Sequence, residues 1–281
     1  MKKILFVGLL ICAVGFWGCK DDESETNLSI ADYIASNNIT GLTETSSGLL
    51  YKIEDEGSGE LLVFGDSLEI LLTGKFTDDV EFASFQNSES PLSFVFVEDE
   101  LIKGLEEGLS LLKQGMKITF YIPSELAYGT TGNRGDIGAD TDLIYTINMI
   151  DLIPRWTIAN YLIENDITNY QETVSGLIYV IDEPGEGELP QEGQSAEVHY
   201  TGYHLTDIKF DSSYDRDKTF TFVIGAGKVI SGWEEGISLF KSGGKGTLYI
   251  PYEMAYGKGG KLNLIAPYED LKFDINLISV K

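Results

Sequence analysis

The sequence is poor in the residue types on which several classes of protein depend. Of its 281 residues only two are cysteine, two histidine and seven proline, and 20 basic side chains face 45 acidic ones. Two cysteines cannot supply the disulfide framework of a small secreted scaffold, and two histidines leave little material for a histidine-rich metal site. The net charge of −25 argues against binding to nucleic acid, which needs a basic face. It equally disfavours electrostatic docking on anionic lipid.

The one long apolar run stands at the N terminus, at positions 4–17, after Lys2 and Lys3. Its length of about 14 residues falls short of the roughly 20 that span a bilayer. A basic start, a short apolar core and a small residue before the cut predict that residues 1–18 are a secretory signal peptide. The segment Trp17-Gly18-Cys19 is similar to a bacterial lipobox, which implies cleavage before Cys19 and acylation of its thiol. A transmembrane anchor and secretion without lipid are the alternatives.

Residues 19–27 are expected to form a solvated tether, since Lys20 is followed at once by Asp21, Asp22 and Glu23. The acidic stretch is similar to the sorting signal of lipoproteins that some Gram-negative bacteria display on their surface. We therefore expect an extracytoplasmic lipoprotein of the outer membrane. Exposure on the cell surface and a periplasm-facing anchor both remain open.

The rest of the chain consists of two copies of one sequence pattern at an offset of 128 positions. The paired segments are Ser47-Gly48-Leu49 and Ser175-Gly176-Leu177, Gly104–Gly108 and Gly232–Gly236, and Ala127-Tyr128-Gly129 and Ala255-Tyr256-Gly257. The repeat predicts two domains, at 28–153 and 154–281. Acidic residues are concentrated in the first half, because residues 20–153 hold 26 acids and 7 bases whereas residues 154–281 hold 19 and 11.

Each copy has the pattern of an α+β domain. Apolar residues at helical spacing predict a helix over 30–39 and again over 158–167. Alternating segments predict strands, among them 176–181, 196–200, 246–250 and 271–278. A short helix is predicted over 232–241, ended by Gly243 and Gly244. Strands dominate, so we expect an antiparallel sheet curved over one helix.

Several kinds of chemistry find no support in the sequence. No Gly-x-Ser-x-Gly elbow occurs, and His199 and His204 have no evident partners for nucleophilic catalysis. The glycine-rich segments at 225–228 and 257–261 do not fit a phosphate-binding loop, and no loop of alternating oxygen ligands predicts calcium. We expect neither a metal nor a cofactor.

An aromatic set in the second copy is the most specific pattern in the chain. Its segments are His199-Tyr200-Thr201-Gly202, Lys209-Phe210-Asp211-Ser212-Ser213, Arg216, Phe220-Thr221-Phe222, Val229–Gly236, Pro251–Gly257 and Phe273. Together they resemble the FKBP-type peptidyl-prolyl cis-trans isomerases, over about residues 193–277. The resemblance implies two FKBP-like domains, each an antiparallel β-sheet wrapped around a short α-helix, with an extra N-terminal helix.

The resemblance also implies a role for each site residue. Trp233 would form the floor of a pocket for a prolyl ring. Its walls and side would be Tyr200, Phe210, Phe220, Phe273, Val229 and Ile230. Tyr256 would donate its hydroxyl to a substrate carbonyl, and Asp211, held by Tyr200 and Arg216, would lie under the carbonyl of the isomerising bond. Leu264 and Ile265 would form a lip that binds substrate. Taken singly, each of these residues is also compatible with a purely structural role in the core.

The first copy keeps the core spacing but lacks the polar part of this set. The positions of Tyr200, Asp211, Arg216, Phe220 and Trp233 are taken by Leu72, Ala83, Ser88, Leu92 and Leu105. We therefore predict an isomerase-like first domain with little or no activity.

The expected function is peptidyl-prolyl cis-trans isomerisation by the second domain, assisting the folding of exported proteins. Proline-containing polypeptides would be its partners, with the membrane reached through the lipid anchor and no nucleic acid involved. The alternative is a non-catalytic, chaperone-like lipoprotein that binds peptides. A surface accessory protein is a third possibility, supported by the acidic tether alone.

Overall fold

The computed structural model describes residues 28–133 and 136–281 and separates them into two compact units, with the division between Pro154 and Arg155. The predicted signal peptide and the tether with Cys19 lie outside the described residues. Within those residues, no helix has the length and apolar character that crossing a membrane requires.

The first unit is a seven-stranded antiparallel sheet with two short helices. Its elements are α1 (Ile30–Ser36), β1 (Thr43–Glu44), β2 (Leu50–Asp55), β3 (Ser67–Lys75), β4 (Glu81–Phe85), β5 (Leu92–Val95), α2 (Lys103–Leu109), β6 (Lys117–Ile122) and β7 (Leu143–Ile153), with 3-10 turns at Ser124–Leu126 and Gly129–Thr131. The strands follow the order β1-β2-β6-β7-β3-β4, and β5 also pairs with β3.

The second unit repeats this architecture. Its elements are α3 (Ile158–Glu164), β8 (Gln171–Glu172), β9 (Ile178–Glu183), β10 (Ser195–His204), β11 (Lys209–Ser212), β12 (Phe220–Val223), α4 (Ser231–Ile237), β13 (Lys245–Ile250) and β14 (Leu271–Val280), with 3-10 turns at Tyr214–Arg216, Tyr252–Met254 and Gly257–Gly259. The strand order is β8-β9-β13-β14-β10-β11, and β12 also pairs with β10. The α+β fold, with an antiparallel sheet around a short helix and an extra N-terminal helix in each domain, is confirmed.

The long central strand of each unit separates a buried face from a more exposed one. Residues along β3 and β10 alternate between buried and half-buried positions, as expected for a strand with one face on a core. A bulge interrupts the pairing between Glu69 and Ile70 in the first unit and between Glu197 and Val198 in the second. The bulge recurs at the repeat offset, so the duplication extends to the local irregularities of the sheet.

All three predicted helices are shorter than the sequence pattern indicated. The N-terminal helices end at Ser36 and Glu164 instead of Ile39 and Ile167. Asn37 and Asn165 cap them, and each side-chain amide donates to a carbonyl of the last turn, which favours termination over another turn. The third helix ends at Ile237, where Ser238 donates its hydroxyl to the Glu235 carbonyl, well before the glycine pair at 243–244.

In the first unit, the N-terminal helix packs on the outer face of the sheet through Ile30 and Tyr33, which join Tyr121 in a small buried cluster. The Tyr33 hydroxyl donates to Asp79 Oδ1 at 2.7 Å, and Lys75 Nζ donates to the Tyr33 oxygen at 2.9 Å. Lys75 also forms an ion pair with Asp79. A polar Tyr–Lys–Asp cluster therefore completes an otherwise apolar contact.

The second unit builds the same cluster from Tyr161, Asp207 and Lys272. Its lysine comes from a different strand, because Lys75 belongs to β3 whereas Lys272 belongs to β14. Within the second unit Lys272 lies directly opposite Tyr203, which occupies the repeat position of Lys75. The ammonium group thus reaches the same place from the other member of a cross-strand pair.

Candidate functional site

Five aromatic rings of the second unit form a single cluster on the inner face of the sheet. The Trp233 ring centroid lies 4.8 Å from that of Tyr200, 5.4 Å from Phe273 and 5.9 Å from Phe220, each close to perpendicular. Phe210 packs edge-on against Phe273 at 5.6 Å. Tyr200, Trp233 and Phe273 are buried, whereas Phe220 is 37% exposed. The structure therefore brings together the predicted floor and walls, with Phe220 where the cluster reaches the surface.

The close approach of two of these rings depends on Gly202 in β10. A Cβ atom there would lie 2.7 Å from ring carbons of both Phe210 and Phe273. Contacts that short do not occur between real side chains, so any larger residue would push the two rings apart. Gly202 thus fixes the spacing of one wall.

Asp211, Tyr200 and Arg216 form a hydrogen-bonded triad beside the rings. The Tyr200 hydroxyl donates to Asp211 Oδ2 at 2.6 Å, Arg216 Nη1 donates to Asp211 Oδ1 at 2.5 Å, and Arg216 Nη2 donates to the Tyr200 oxygen at 2.8 Å. Partial burial opposes ionisation of Asp211, but the bonds from Arg216 and Tyr200 outweigh it and hold the Asp211 pKa below its usual value. Burial and the neighbouring carboxylate raise the pKa of Tyr200 to about 12, so it remains a donor. The prediction that Tyr200 and Arg216 hold Asp211 agrees with this geometry.

Helix α4 carries Trp233 and lies unusually close to the sheet. A Cβ at Gly232 would be 2.3 Å from Cγ2 of Ile250, and a Cβ at Gly236 would be 2.5 Å from Cδ1 of Leu248. At Gly232 the clash is with the branched Ile250 side chain, so glycine is needed there for the approach that sets the height of the Trp233 ring above β13.

Glu234 fixes the loop that enters α4, a role that the sequence pattern did not reveal. Its carboxylate accepts the backbone N–H of Gly225 at 2.6 Å and of Gly227 at 2.9 Å. Val229 and Ile230 follow this loop and are half-buried against the same core as the rings. Anchoring the loop therefore places the two predicted side residues next to the ring cluster.

Tyr256 and the two predicted lip residues belong to the long segment between β13 and β14. Tyr256 is half-buried against the ring core, and the Lys261 ammonium lies 5.3 Å from its ring centroid. Leu264 is 38% exposed, as a residue at a rim would be, but Ile265 is only 2% exposed and packs in the core. Of the pair, only Leu264 presents a side chain to solvent.

His204 has a partner that the sequence analysis did not identify. Its Nδ1 lies 2.5 Å from Glu269 Oε1, while Glu269 Oε2 accepts the Ala266 N–H at 2.6 Å. The His204 ring also packs edge-on against Phe210 at 5.2 Å. Because 65 positions separate His204 from Glu269, no local pattern could reveal the pair. The contact joins the end of β10 to the segment that carries Leu264.

His199 likewise has structural partners. Its Nδ1 lies 3.0 Å from Ser213 Oγ, and its ring stacks on Tyr214 at 4.3 Å. Ser213 Oγ also accepts the backbone N–H of Tyr200 at 2.8 Å. These bonds give His199 a structural role beside the triad.

The indole N–H of Trp233 is buried and has no hydrogen-bond partner among the residues that the structure describes. Leaving such a donor unpaired costs about 1–3 kcal/mol. Buried unpaired groups are rare in native proteins and often mark functional positions. In the same parts of the chain, no group of three or more His, Cys, Asp or Glu residues is placed to hold a metal ion.

The corresponding region of the first unit is an apolar core without the polar triad. Leu72, Leu105 and Tyr145 are buried, and Phe82 packs edge-on against Tyr145 at 5.5 Å. Burial raises the pKa of the Tyr145 hydroxyl far above its usual value. Ser88, at the position of Arg216, is exposed. The core spacing is therefore retained where the hydrogen-bonding groups are lost.

Comparison with known proteins identifies the family to which this fold and this site belong. The model of the FKBP-type peptidyl-prolyl cis-trans isomerase family matches residues 60–150 and again residues 186–278. The chain therefore belongs to this family, with two domains in tandem, and it is a peptidyl-prolyl cis-trans isomerase.

Two relatives match about one domain's length of the chain at about two-fifths identity. The FK506-binding protein of Neisseria meningitidis serogroup B is 42% identical over 107 residues, which are 38% of this chain and 98% of the relative. The peptidyl-prolyl cis-trans isomerase Fkbp12 of Drosophila melanogaster is 43% identical over 99 residues, 35% of this chain and 92% of that protein. The crystal structure of FkpA from Escherichia coli is 36% identical, with 44% of this chain and 57% of that chain covered and a TM-score of 0.41.

Proposed function

We propose that the second domain carries the isomerase activity and that the first domain contributes little or none. The observation that supports this assignment is the Asp211–Tyr200–Arg216 triad beside the Trp233 ring cluster. The first domain has alanine, leucine and serine at the triad positions. The two domains share one fold and differ in the polar groups beside the ring cluster.

The reaction requires rotation about an amide bond, which costs about 18–20 kcal/mol because resonance is lost. Left alone, X-Pro bonds exchange in tens to hundreds of seconds. The twisted amide is less polar than the planar one, so a dry aromatic site favours it over the well-solvated ground state. Each ~1.4 kcal/mol of preferential binding to the twisted form gives about tenfold in rate. Such chemistry needs no proton transfer to or from the protein.

In this proposal the prolyl ring lies on Trp233 between the surrounding rings. The Tyr256 hydroxyl and the Ile230 backbone N–H donate to substrate carbonyls on either side. Asp211, kept ionised by its two partners, lies beneath the carbonyl of the rotating bond. Leu264 contacts the peptide from the rim. Donors and charges that are already fixed in place stabilise the transition state, because they need no reorientation when the charge distribution of the amide changes.

The experiment compares two tyrosines at matched positions of the repeat, Tyr256 and Tyr128. Proline isomerisation of a short peptide is measured with the wild-type chain and with the Tyr256→Phe and Tyr128→Phe variants. Loss of one neutral hydrogen bond of about 0.5–1.5 kcal/mol lowers kcat/KM by roughly 2- to 10-fold for Tyr256→Phe. Tyr128→Phe is expected to leave it unchanged.

Replacing the floor by the residue of the first copy, Trp233→Leu, gives a larger effect. We expect at least about a tenfold loss, since the substitution removes the ring surface on which the prolyl ring would pack. Retention of wild-type activity by this variant would refute the assignment to the second domain. If Trp233→Leu lost isomerase activity but still suppressed aggregation of an unfolded protein, a separate chaperone-like binding function would be indicated.

We further propose that the protein is an extracytoplasmic lipoprotein of the outer membrane that assists the folding of exported proteins. The support lies in the sequence of residues 1–27, which combines a secretory signal, a lipobox-like segment and an acidic tether. An isomerase held outside the cytoplasm would meet its proline-containing substrates as they emerge. The surface-exposed and periplasm-facing arrangements both fit this proposal.

A further inference from the structure

One buried carboxylate in the second domain joins its N-terminal helix to the segment that carries Tyr256. Asp270 is 6% exposed and stands immediately before β14. Its Oδ2 accepts the N–H of Ile158, the first residue of α3, at 3.1 Å. Its Oδ1 accepts the N–H of Tyr252 at 2.9 Å, four residues before Tyr256. A single side chain thus bridges two segments that are far apart in sequence.

Arg155 extends this bridge to the end of the long loop that carries Leu264. Its Nη1 lies 3.7 Å from Asp270 Oδ1 and donates to the Tyr268 carbonyl at 3.2 Å. Its guanidinium also lies 5.0 Å from the ring centroid of Tyr252, whose ring in turn packs on Tyr268 at 5.1 Å. A charged group in this position contacts both ends of the segment between β13 and β14.

Tyr268 connects the two ends directly. Its backbone N–H donates to the Gly257 carbonyl at 3.2 Å, next to Tyr256. Tyr268 adopts φ +57°, a left-handed conformation that is unfavourable for a bulky residue. Asp140, at the same repeat position of the first domain, adopts φ +52° and donates its N–H to the Gly129 carbonyl at 2.9 Å, so this backbone link is common to both domains.

The first domain has the carboxylate bridge and the backbone link, but not the aromatic pair. Asp142 accepts the N–H of Ile30 at 2.9 Å and the N–H of Ser124 at 2.8 Å, which reproduces the two bonds of Asp270. The positions of Tyr252 and Tyr268, however, are occupied by Ser124 and Asp140. The aromatic pair under a guanidinium therefore occurs in the domain that also has the polar triad.

We propose that Asp270 and Arg155 are positioning residues for the isomerase site, which hold the Tyr256 hydroxyl and the Leu264 loop at the height of the Trp233 floor. They link the N-terminal helix of the domain to the segment that binds substrate. This proposal rests on the assignment of activity to the second domain. A displacement of about 1 Å in a catalytic group can lower the rate by up to about 100-fold. Loss of the contacts that anchor Tyr256 should therefore lower the rate measurably.

Asp270→Asn tests the bridge. Each of the two N–H groups bonds a different oxygen of Asp270, and an asparagine amide has only one acceptor oxygen. We expect kcat/KM for a proline peptide to fall by about 2- to 10-fold, at most as far as loss of the Tyr256 hydroxyl itself would lower it. Asp142→Asn removes the equivalent bond in the first domain and is expected to leave kcat/KM unchanged. Equal activity of the Asp270→Asn and wild-type proteins, or equal losses for both variants, would overturn the proposal.

A double-mutant cycle separates positioning from a general loss of stability. If Asp270 acts through Tyr256, Asp270→Asn costs much less activity when Tyr256 is already Phe than when it is Tyr. Fully independent effects would contradict the proposal. Far-UV circular dichroism and urea unfolding establish that each variant is folded under assay conditions.

Arg155→Gln provides a second variant should Asp270→Asn fail to fold, since it leaves both backbone bonds of Asp270 in place. We expect about a 2- to 10-fold loss of kcat/KM, again reduced in the Tyr256→Phe background. Wild-type activity in this variant would exclude Arg155. The outcome for Trp233→Leu distinguishes the two proposals. Full activity of Trp233→Leu refutes the assignment of activity to the second domain. If Trp233→Leu loses activity while Asp270→Asn keeps wild-type activity, only the positioning proposal is refuted.

Discussion

At the scale of the residue, the triad shows how a surface-facing carboxylate is kept charged and in place. Asp211 is bound by one phenol and one guanidinium, and each of those also contacts the other. Removing either partner would cost each of the other two groups one of its two bonds within the triad. A tyrosine that stays protonated and an arginine that stays charged make the arrangement insensitive to pH over a wide range.

A pH titration of the Asp211→Asn variant tests this property. The pKa of Asp211 in the folded protein lies below the usual pKa of an aspartate. The carboxylate therefore stays charged at any pH above the usual pKa, and it is protonated only as the pH falls through the lower pKa of the folded protein. The ratio of wild-type to variant kcat/KM is therefore expected to stay constant from about pH 9 to about pH 5, and to approach one only below about pH 4. Taking the ratio cancels the titration of groups common to both proteins. A ratio that falls between pH 5 and 8 would contradict the assigned charge state.

The sequence revealed those site residues whose types and spacing are unusual in themselves. An aromatic cluster with an interposed Asp and Arg is recognisable along the chain, and the structure brings its members together. The supporting residues could not be predicted this way. His204 meets Glu269 across 65 positions and Asp270 meets Ile158 across 112, and each residue type taken singly has many common uses.

At the scale of the element, α4 is a seven-residue helix whose position depends on the two glycines that face the sheet. Helix propensity alone would disfavour both glycines by about 1 kcal/mol each. Close packing against Ile250 and Leu248 compensates for this, and it brings Trp233 down to the level of the other rings. The alternation of buried residues in β10 could be predicted from the sequence. The distance between α4 and the sheet could not, because it is set by contact with a strand further along the chain.

Gly232→Ala is expected to raise α4 from the sheet and to lower both stability and activity. The new methyl group would meet Ile250, a fully buried and stiff β-branched residue, so overpacking of about 1–3 kcal/mol exceeds the ~1 kcal/mol gained in helix propensity. Urea unfolding and peptide isomerisation measure the two effects. The matched Gly104→Ala variant, whose Cβ would lie 2.4 Å from Ile122 Cγ2, should destabilise the first domain without changing kcat/KM. Increased stability of Gly232→Ala would show that the helix accommodates the methyl group.

The ends of the helices mark the limit of pattern reading at this scale. Apolar residues continue at helical spacing beyond Ser36 and Glu164. For this reason the sequence pattern predicted helices that end later than the observed ones. The asparagines that follow bond back to the last turn and stop the helices there. Local hydrogen bonding therefore overrides the periodicity.

At the scale of the whole molecule, one domain architecture occurs twice with different side chains. The first half has a net charge of −19 and the second a net charge of −8. Under the proposed lipid anchoring, the more acidic half lies next to the tether. We propose that it serves as a solvated spacer and that the second domain acts on substrate.

Lipid anchoring predicts that Cys19 is required for acylation and membrane association, whereas Cys12 is not. Expression in a Gram-negative host with radiolabelled palmitate should label the wild type and Cys12→Ser, and both should sediment with membranes. Cys19→Ser should carry no label and appear in the soluble fraction. Label on Cys19→Ser, or its loss from Cys12→Ser, would contradict the predicted cleavage site.

The Tyr–Lys–Asp cluster on the outer face of each sheet bears on how the two copies should be compared. Its lysine occupies different repeat positions, Lys75 and Lys272, while the ammonium group keeps the same partners. An alignment by position would score both lysines as divergent, although both copies make the interaction. The two copies therefore place the ammonium group at the same location in space from different strands, β3 in the first copy and β14 in the second. Positional identity between the copies therefore underestimates how many interactions they share.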